Sequence, residues 1–260
     1  MANSTAKTPL VLKMGGRLLQ DQAALDALLQ VVATLQNEYA LVLVHGGGDQ
    51  VDAWLSTFGF STQKIDGQRV SPAEQMPIIT GALAGAVNSF MVARAQVQGL
   101  NAVGLTLAAG RSLKFSVNEK LGAVGIASAN DGTLINTLLA QGFVPVFSSI
   151  GQSADGQLLN VNADIAAAAI CQLVQGQLVL LTDVPGILDA EGQLIKNLTS
   201  AQAAELVASG VIKGGMKVKL DAALETAAAL RRSIIVAGWQ QPEDLLKLMQ
   251  QQEVGTCISL

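Results

Sequence analysis

Short apolar runs alternate along this chain with longer segments in which Ala, Leu and Gln recur at helical spacing. The runs are rich in Val, Leu and Ile and predict strands over 10–13, 40–45, 102–105, 144–148, 177–182, 233–236 and 256–259. The amphipathic segments predict helices over 21–37, 50–57, 133–141, 163–173, 201–209, 216–230 and 242–250. Residues 72–98 read as mostly helical, with Gly81 and Gly85 as weak points. Alternation of this kind implies an α/β fold, with a largely parallel central sheet between two helical layers. Two stretches break the pattern. Residues 63–70 and 113–124 are polar and β-like around Gly67 and Gly122, and predict hairpins projecting from the sheet. Each is either a wall or lid of a ligand cleft or a plain surface hairpin. No Pro-, Gly- or Ser-rich linker divides the chain, and no repeat appears. The expectation is one domain of two lobes on a continuous sheet, about 1–175 and 176–260.

Composition sharpens this. The chain is 260 residues long and 50% hydrophobic but only 3% aromatic, so its core must be built from Ala, Leu, Val and Ile. A net charge of −4 offers no basic stripe for nucleic acid, although a small anion needs only local cations. Mean hydropathy is +0.41. Yet the longest unbroken apolar stretch, 165–171, is far short of the roughly 18–20 residues of a membrane span. Residues 1–9 are polar and lack the apolar region of a secretory signal. Cys171 and Cys257 are too few and too far apart for a disulfide framework or metal site, which fits a cytoplasmic chain. The single histidine, His45, leaves no His-rich metal site and speaks against a Ser-His-Asp triad.

Candidate chemistry gathers at glycine-rich turns. Lys13-Met14-Gly15-Gly16 and His45-Gly46-Gly47-Gly48 each follow a predicted strand, as does Asp183-Val184-Pro185-Gly186. Gly214-Gly215-Met216-Lys217-Val218-Lys219 opens a helical pattern. Glycine at a strand-to-helix turn lets backbone N–H groups approach an anion, and the helix N-terminus adds positive potential. Lysines from distant segments added to such turns suggest a site that holds phosphate from several sides. Familiar phosphate motifs are missing: no Gly-Lys pair exists for a P-loop, and Val51 stands where a dinucleotide fingerprint needs its third Gly or Ala.

Six ordered motifs between Leu10 and the C-terminus resemble the amino-acid kinase family. They are Val11-Leu12-Lys13-Met14-Gly15-Gly16, His45-Gly46-Gly47-Gly48, Gly67-Gln68-Arg69-Val70-Ser71, Asn160-Val161-Asn162-Ala163-Asp164, the run from Leu180 to Ile187, and Gly215-Met216-Lys217-Val218-Lys219. The resemblance implies the fold of that family and an ATP-dependent phosphotransferase with a carboxyl group as acceptor. Its closest match is to members acting on the γ-carboxylate of N-acetyl-L-glutamate in arginine biosynthesis, with Mg2+ carried on the nucleotide. It implies Lys13 and Lys219 as stabilisers of the transferring group, and Asp164 as the carboxylate orienting both. It further implies Gly47, Gly48, Arg69 and Asn160 at the substrate, with Arg69 forking onto its α-carboxylate. Gly15, Gly16, Asp183, Val184, Pro185, Gly186, Ile187, Leu188, Val211, Ile212 and Lys213 fall at the nucleotide. Lys213 and Gly214 depart from the family pattern, which expects a small polar residue and an Asp there.

Plainer readings stand beside these. Lys13 could be a solvated strand-end lysine, Lys219 a surface helix charge, Asp164 a helix-start carboxylate and Arg69 a hairpin arginine. Asn162 reads equally as a helix N-cap, and His45 as a support for its glycine turn. The alternatives in function are a kinase of N-acetyl-aminoadipate, longer by one methylene, or a non-catalytic nucleotide or amino-acid sensor. The resemblance also separates arginine-inhibited ring-forming members, which carry an extra N-terminal helix, from simple dimers. Residues 1–9 have no helical apolar stripe, so the expectation is a homodimer insensitive to L-arginine by that route, meeting through the helix around Ile78 to Ala93. The small residues of that helix could equally pack on the chain's own sheet.

Overall fold

The computed structural model describes residues 7–15, 17–250 and 252–259. The chain runs β1 (Thr8–Met14), α1 (Gln22–Leu35), β2 (Tyr39–His45), α2 (Gly48–Thr57), then the short strands β3 (Gln63–Ile65) and β4 (Gln68–Val70). A long helical run follows as α3 (Met76–Thr80), a π-helical stretch (Gly81–Val87) and α4 (Asn88–Val97). Next come β5 (Ala102–Thr106), β6 (Leu113–Val117), β7 (Val124–Ala129), α5 (Thr133–Ala140), β8 (Val144–Ser148), β9 (Ile150–Gln152), β10 (Leu158–Val161) and α6 (Ala163–Val174). The last part is β11 (Gln177–Thr182), β12 (Asn197–Thr199), α7 (Ser200–Ala208), α8 (Gly214–Leu230), β13 (Ile234–Gly238), α9 (Glu243–Met249) and β14 (Thr256–Ser259).

Eight strands form one sheet in the order β12-β14-β13-β11-β1-β2-β8-β5. Only the β13–β14 pair is antiparallel. A parallel strand in mid-sheet is covered on both faces and needs an unbroken apolar run. Alternate side chains of those runs go to opposite layers. Val11, Val42, Val44, Leu178 and Leu180 pack with α6. Leu10, Leu12, Leu41, Leu43, Val179 and Leu181 pack with Leu25, Leu28 and Leu29 of α1. The result is the expected αβα sandwich. Burial of each such leucine contributes about 1.5–3 kcal/mol.

Several local expectations differ from what is found. The 63–70 stretch is indeed the β3–β4 hairpin, turning at Asp66 and Gly67 with φ of 50° and 79°. The 113–124 stretch also enters a hairpin, β6 pairing antiparallel with β7, but not one that stands by itself. Its strands β6 and β7 belong to a four-stranded sheet, β6-β7-β10-β9. Strands β9, β10 and β12 have no periodic signal, because three or four residues held by tertiary pairing need none. Helices α2 and α8 begin on Gly48 and Gly214, two residues before the apolar pattern does. First-turn residues pack little, so periodicity cannot mark them. The Ala73–Val97 run has the length and hydropathy to cross a membrane. Here it is a core element, with Ile79, Ala82, Met91 and Ala95 fully buried against the chain itself, while Gly85 and Ala86 face outward.

Candidate active site

Parallel strands deliver their C-terminal ends to one edge of the sheet, where the following loops meet. In register, Met14 lies beside His45, and His45 beside Ser148. The Gly46 N–H donates to the Met14 carbonyl at 3.1 Å, fastening the turn after β2 to the end of β1. A cavity of about 240 Å³ opens over this edge, lined by Lys13, Gly47, Gly48, Arg69, Asn160 and Asp164 among others. The sequence places these residues in four separate segments, and the fold brings them together.

Lys13 sits near the end of β1, in its buried stretch from Leu10 to Met14, where an unpaired ammonium would be costly. It meets Asp164 at 2.8 Å, with both side chains over nine-tenths buried. The Asp164 oxygen that faces Lys13 has no aligned hydrogen-bond donor, so the contact is charge against charge. The other carboxylate oxygen lies 4.0 Å from the Lys219 ammonium, which comes in from α8. Asp164 is therefore not a solvated helix-start carboxylate; it holds two cations on either side of one group. Its helix starts where it does because Asn162 caps α6, accepting from the N–H groups of Asp164 at 2.8 Å and Ile165 at 3.3 Å. Lys217, two residues before Lys219, points elsewhere and pairs with Asp221 at 2.6 Å.

Arg69 is held by α2. Its Nη1 donates to Asp52 Oδ1 and, at 3.2 Å, to Thr62, while Nη2 donates to the Gly48 carbonyl at 3.0 Å. Its side chain is only 8% exposed, so the surface-arginine alternative does not describe it. Three of five guanidinium donors are used, leaving Nε–H and one Nη2 hydrogen. Asp52 is the residue that sequence reasoning missed. Burial raises its pKa, but hydrogen bonds from Arg69 and Thr62, with the charges of Arg69 and Lys64, carry it below the usual carboxylate value. Its only signal was an acid one helical turn beyond Gly48, facing a predicted arginine that needed a counter-ion. Asn160 donates to the Ser71 hydroxyl at 3.0 Å across the cavity wall.

The glycine turn is shaped from behind. Gly47 has φ of 153°, and a Cβ there would lie 2.8 Å from Leu83 and 3.3 Å from Val87 of the π-helical stretch. His45 is fully buried beneath the turn, as a support for it. Opposite, the hairpin tip reaches the start of α8: a Cβ on Gly67 would lie 3.0 Å from the Gly215 nitrogen.

The residues expected at the nucleotide are spread more widely. Gly15 directly follows β1, and a Cβ there would lie 3.7 Å from the Leu181 carbonyl oxygen; Gly16 lies outside the described residues. Asp183 takes an ion pair from Arg17 at 2.9 Å, and Gln240 donates to its carbonyl at 2.7 Å. Val184 and Leu188 are half-buried and Pro185 exposed, whereas Gly186 and Ile187 are wedged into the interior, the Ile187 N–H donating to Thr256 at 2.8 Å. Ile212 is buried with its N–H on the Leu206 carbonyl, beside half-buried Val211, and Lys213 stands exposed at the start of α8. Among the described residues, none of these lines the Lys13 cavity.

A buried carboxylate between two lysines, at the glycine-turn edge of a parallel sheet, is suited to holding and transferring an anionic group. In keeping with this, residues 8–238 match the model of the amino acid kinase family, and the chain belongs to that family. Two similar relatives are the acetylglutamate kinases of Colwellia psychrerythraea, 48% identical over 98% of both chains, and Moritella profunda, 47% identical over 98% of both. Among solved structures, a carbamate kinase from Giardia lamblia bound to AMP-PNP superposes with a TM-score of 0.71, at 17% identity over 98% of this chain and 99% of that one. An N-acetylglutamate synthase from Neisseria gonorrhoeae, complexed with coenzyme A and L-arginine, gives 0.82 at 20% identity, over 98% of this chain and 62% of that one. The structural likenesses show the shared fold.

Proposed function

We propose that this chain transfers the γ-phosphoryl group of ATP to the γ-carboxylate of N-acetyl-L-glutamate, giving N-acetyl-L-glutamyl 5-phosphate for arginine biosynthesis. The observation that carries the reading is Asp164, in the cavity that also holds Lys13, Arg69 and the Gly46–Gly48 turn, lying between Lys13 and the Lys219 ammonium that approaches from α8. The near full-length similarity to acetylglutamate kinases supplies the substrate.

A glutamate-type carboxylate has a pKa of about 4.3, so at pH 7 the nucleophile is already ionised and needs no general base. The obstacle is an anion approaching a highly anionic phosphoryl group, which positioning and fixed positive charge overcome. In this reading Lys13 and Lys219 stabilise the transferring group, with Asp164 aiming both. The free edge of Arg69 grips the α-carboxylate, Asn160 the acetamido end, and the N–H groups of Gly47 and Gly48 face negative charge. Gly15, Gly16, the 183–188 loop and Val211 to Lys213 take the nucleotide. Mg2+ would screen the β- and γ-phosphates. Asp164 is already committed to two lysines, so the ion would be held by the phosphates it arrives with.

We assign the substrate to a lobe of about 1–175 and the nucleotide to one of about 176–260, and we place the chain in the cytoplasm as a homodimer. The outward Gly85 and Ala86 of the long helix supply a face suited to close packing, whereas Ala82 is taken by the chain's own core. The N-terminal stretch on which the absence of a ring was expected lies, in residues 1–6, outside the described residues. A coupled assay of ADP release tests the substrate. N-acetyl-L-glutamate should be turned over, with free glutamate, aspartate and N-acetyl-aminoadipate at least tenfold poorer in kcat/KM. Equal or better turnover of any of these would overturn the assignment.

A further inference from the structure

We infer that Asn88 and His45 form a buried relay that aims the Gly47 N–H into the active-site cavity, which makes both of them positioning residues for the anion held there. This rests on the reading of the cavity as the site of phosphoryl transfer.

The Val146 carbonyl can only accept, and Asn88 Nδ2 lies 2.9 Å from it. Asn88 must therefore turn its NH2 group that way, which fixes its amide orientation. The same Nδ2 lies 3.0 Å from His45 Nε2. With one hydrogen on Val146, the other points at the imidazole, so Nε2 must accept. The proton of the neutral ring then sits on Nδ1. From there it is donated to the Gly46 carbonyl at 2.7 Å. Burial pushes the His45 pKa down to about 4, against the hydrogen bond to Gly46 that raises it, so the ring is neutral at pH 7.

The Gly46–Gly47 peptide is trans, and the N–H of a trans peptide points opposite to its carbonyl. Holding the Gly46 oxygen down on His45 holds the Gly47 N–H up, away from the buried ring and toward the cavity that Gly46, Gly47 and Gly48 line. Among the described residues, no backbone carbonyl takes that N–H. The π-helical stretch has a part in this. It ends at Val87, next to Asn88, and its Leu83 and Val87 fill the space behind Gly47. One element thus sets the relay's first residue and presses on the turn that the relay orients. A turn free to flip this peptide would present a carbonyl dipole to the anion in place of a donor.

The single histidine makes the relay directly observable, because the ring nitrogens of the unmodified protein give one set of signals. Long-range proton–nitrogen NMR at pH 7 should show the Nδ1–H tautomer; an Nε2–H tautomer would overturn the relay irrespective of activity. In kinetics with ATP and N-acetyl-L-glutamate, His45→Leu should lower kcat on the order of 30- to 100-fold with KM within about threefold, since a donor aimed at developing charge is lost. His45→Asn places an amide N–H near the Nδ1 position and should recover kcat to within about fivefold of the unmodified chain. Equal loss in both variants would mean that the ring acts by filling space, and an unchanged kcat in His45→Leu would likewise sink the inference. If the correct tautomer is seen in a protein that does not turn over this substrate, the reaction assignment falls and the relay does not.

Discussion

At the scale of single residues, the proposed transfer turns on which lysine approaches Asp164. Lys219 does and Lys217 does not, although two positions separate them on α8. Lys219→Ala should lower kcat on the order of 100- to 1,000-fold while changing the KM for N-acetyl-L-glutamate little, because its contact strengthens as charge develops. Lys217→Ala should leave kcat within about threefold; steady-state kinetics of both variants checks the contrast, and reversed effects would exchange their roles. Arg69 predicts the opposite split. Arg69→Lys keeps the charge but loses the fork, and Asp52→Asn loosens the carboxylate that holds it, so each should raise KM about tenfold or more with a smaller change in kcat. His45 gives a stability prediction. Its pKa falls from 6.5 to about 4 on folding, so between those values the unfolded chain binds more protons and stability rises with pH. The contribution is complete above about pH 6.5 and is lost progressively toward pH 4. Denaturant unfolding should show roughly 2 kcal/mol less stability at pH 5 than at pH 7 in the unmodified chain, beyond any change in His45→Asn.

At the scale of elements, the site is made where unlike pieces touch. The tip of the β3–β4 hairpin lies against the first residues of α8, the helix that brings Lys219. Gly67 permits this in two ways, by its φ of 79° and by the absence of a Cβ that would sit 3.0 Å from the Gly215 nitrogen. Gly67→Ala should cost about 1 kcal/mol or more in thermal unfolding and raise KM, since Arg69 rides on the same hairpin. The main sheet was legible in the sequence because parallel strands buried on both faces announce themselves as unbroken apolar runs. Lys13, Arg69 and Asp164 were legible because each sits in a motif with glycine or asparagine punctuation. Asp52 was not, since one acid on a half-exposed helix carries no pattern of its own. Strands β9, β10 and β12 were hidden for a related reason, being three or four residues long and so too short for a period of two to register. The contact of the hairpin with α8 spans some 150 residues, and no local pattern encodes it.

At the scale of the whole molecule, light scattering should give the mass of two chains of 26.8 kDa, and a six-chain species would contradict the proposed dimer. Replacing Gly85 with a bulky residue should shift that mass toward one chain if the outward small residues are the seam. The central claim is that a substrate carboxylate oxygen attacks the γ-phosphorus of ATP in the Lys13–Asp164–Lys219 site. It is tested most directly with N-acetyl-L-glutamate carrying two 18O atoms on its γ-carboxylate. An acyl phosphate formed by that attack keeps one 18O in the bridge between carbon and phosphorus. Hydroxylamine then cleaves it at the carbonyl carbon, and the phosphate released should carry a single 18O, in amounts equal to the hydroxamate formed and sharply reduced in Lys219→Ala. Unlabelled phosphate without hydroxamate would mean that ATP is only hydrolysed, and would contradict the account.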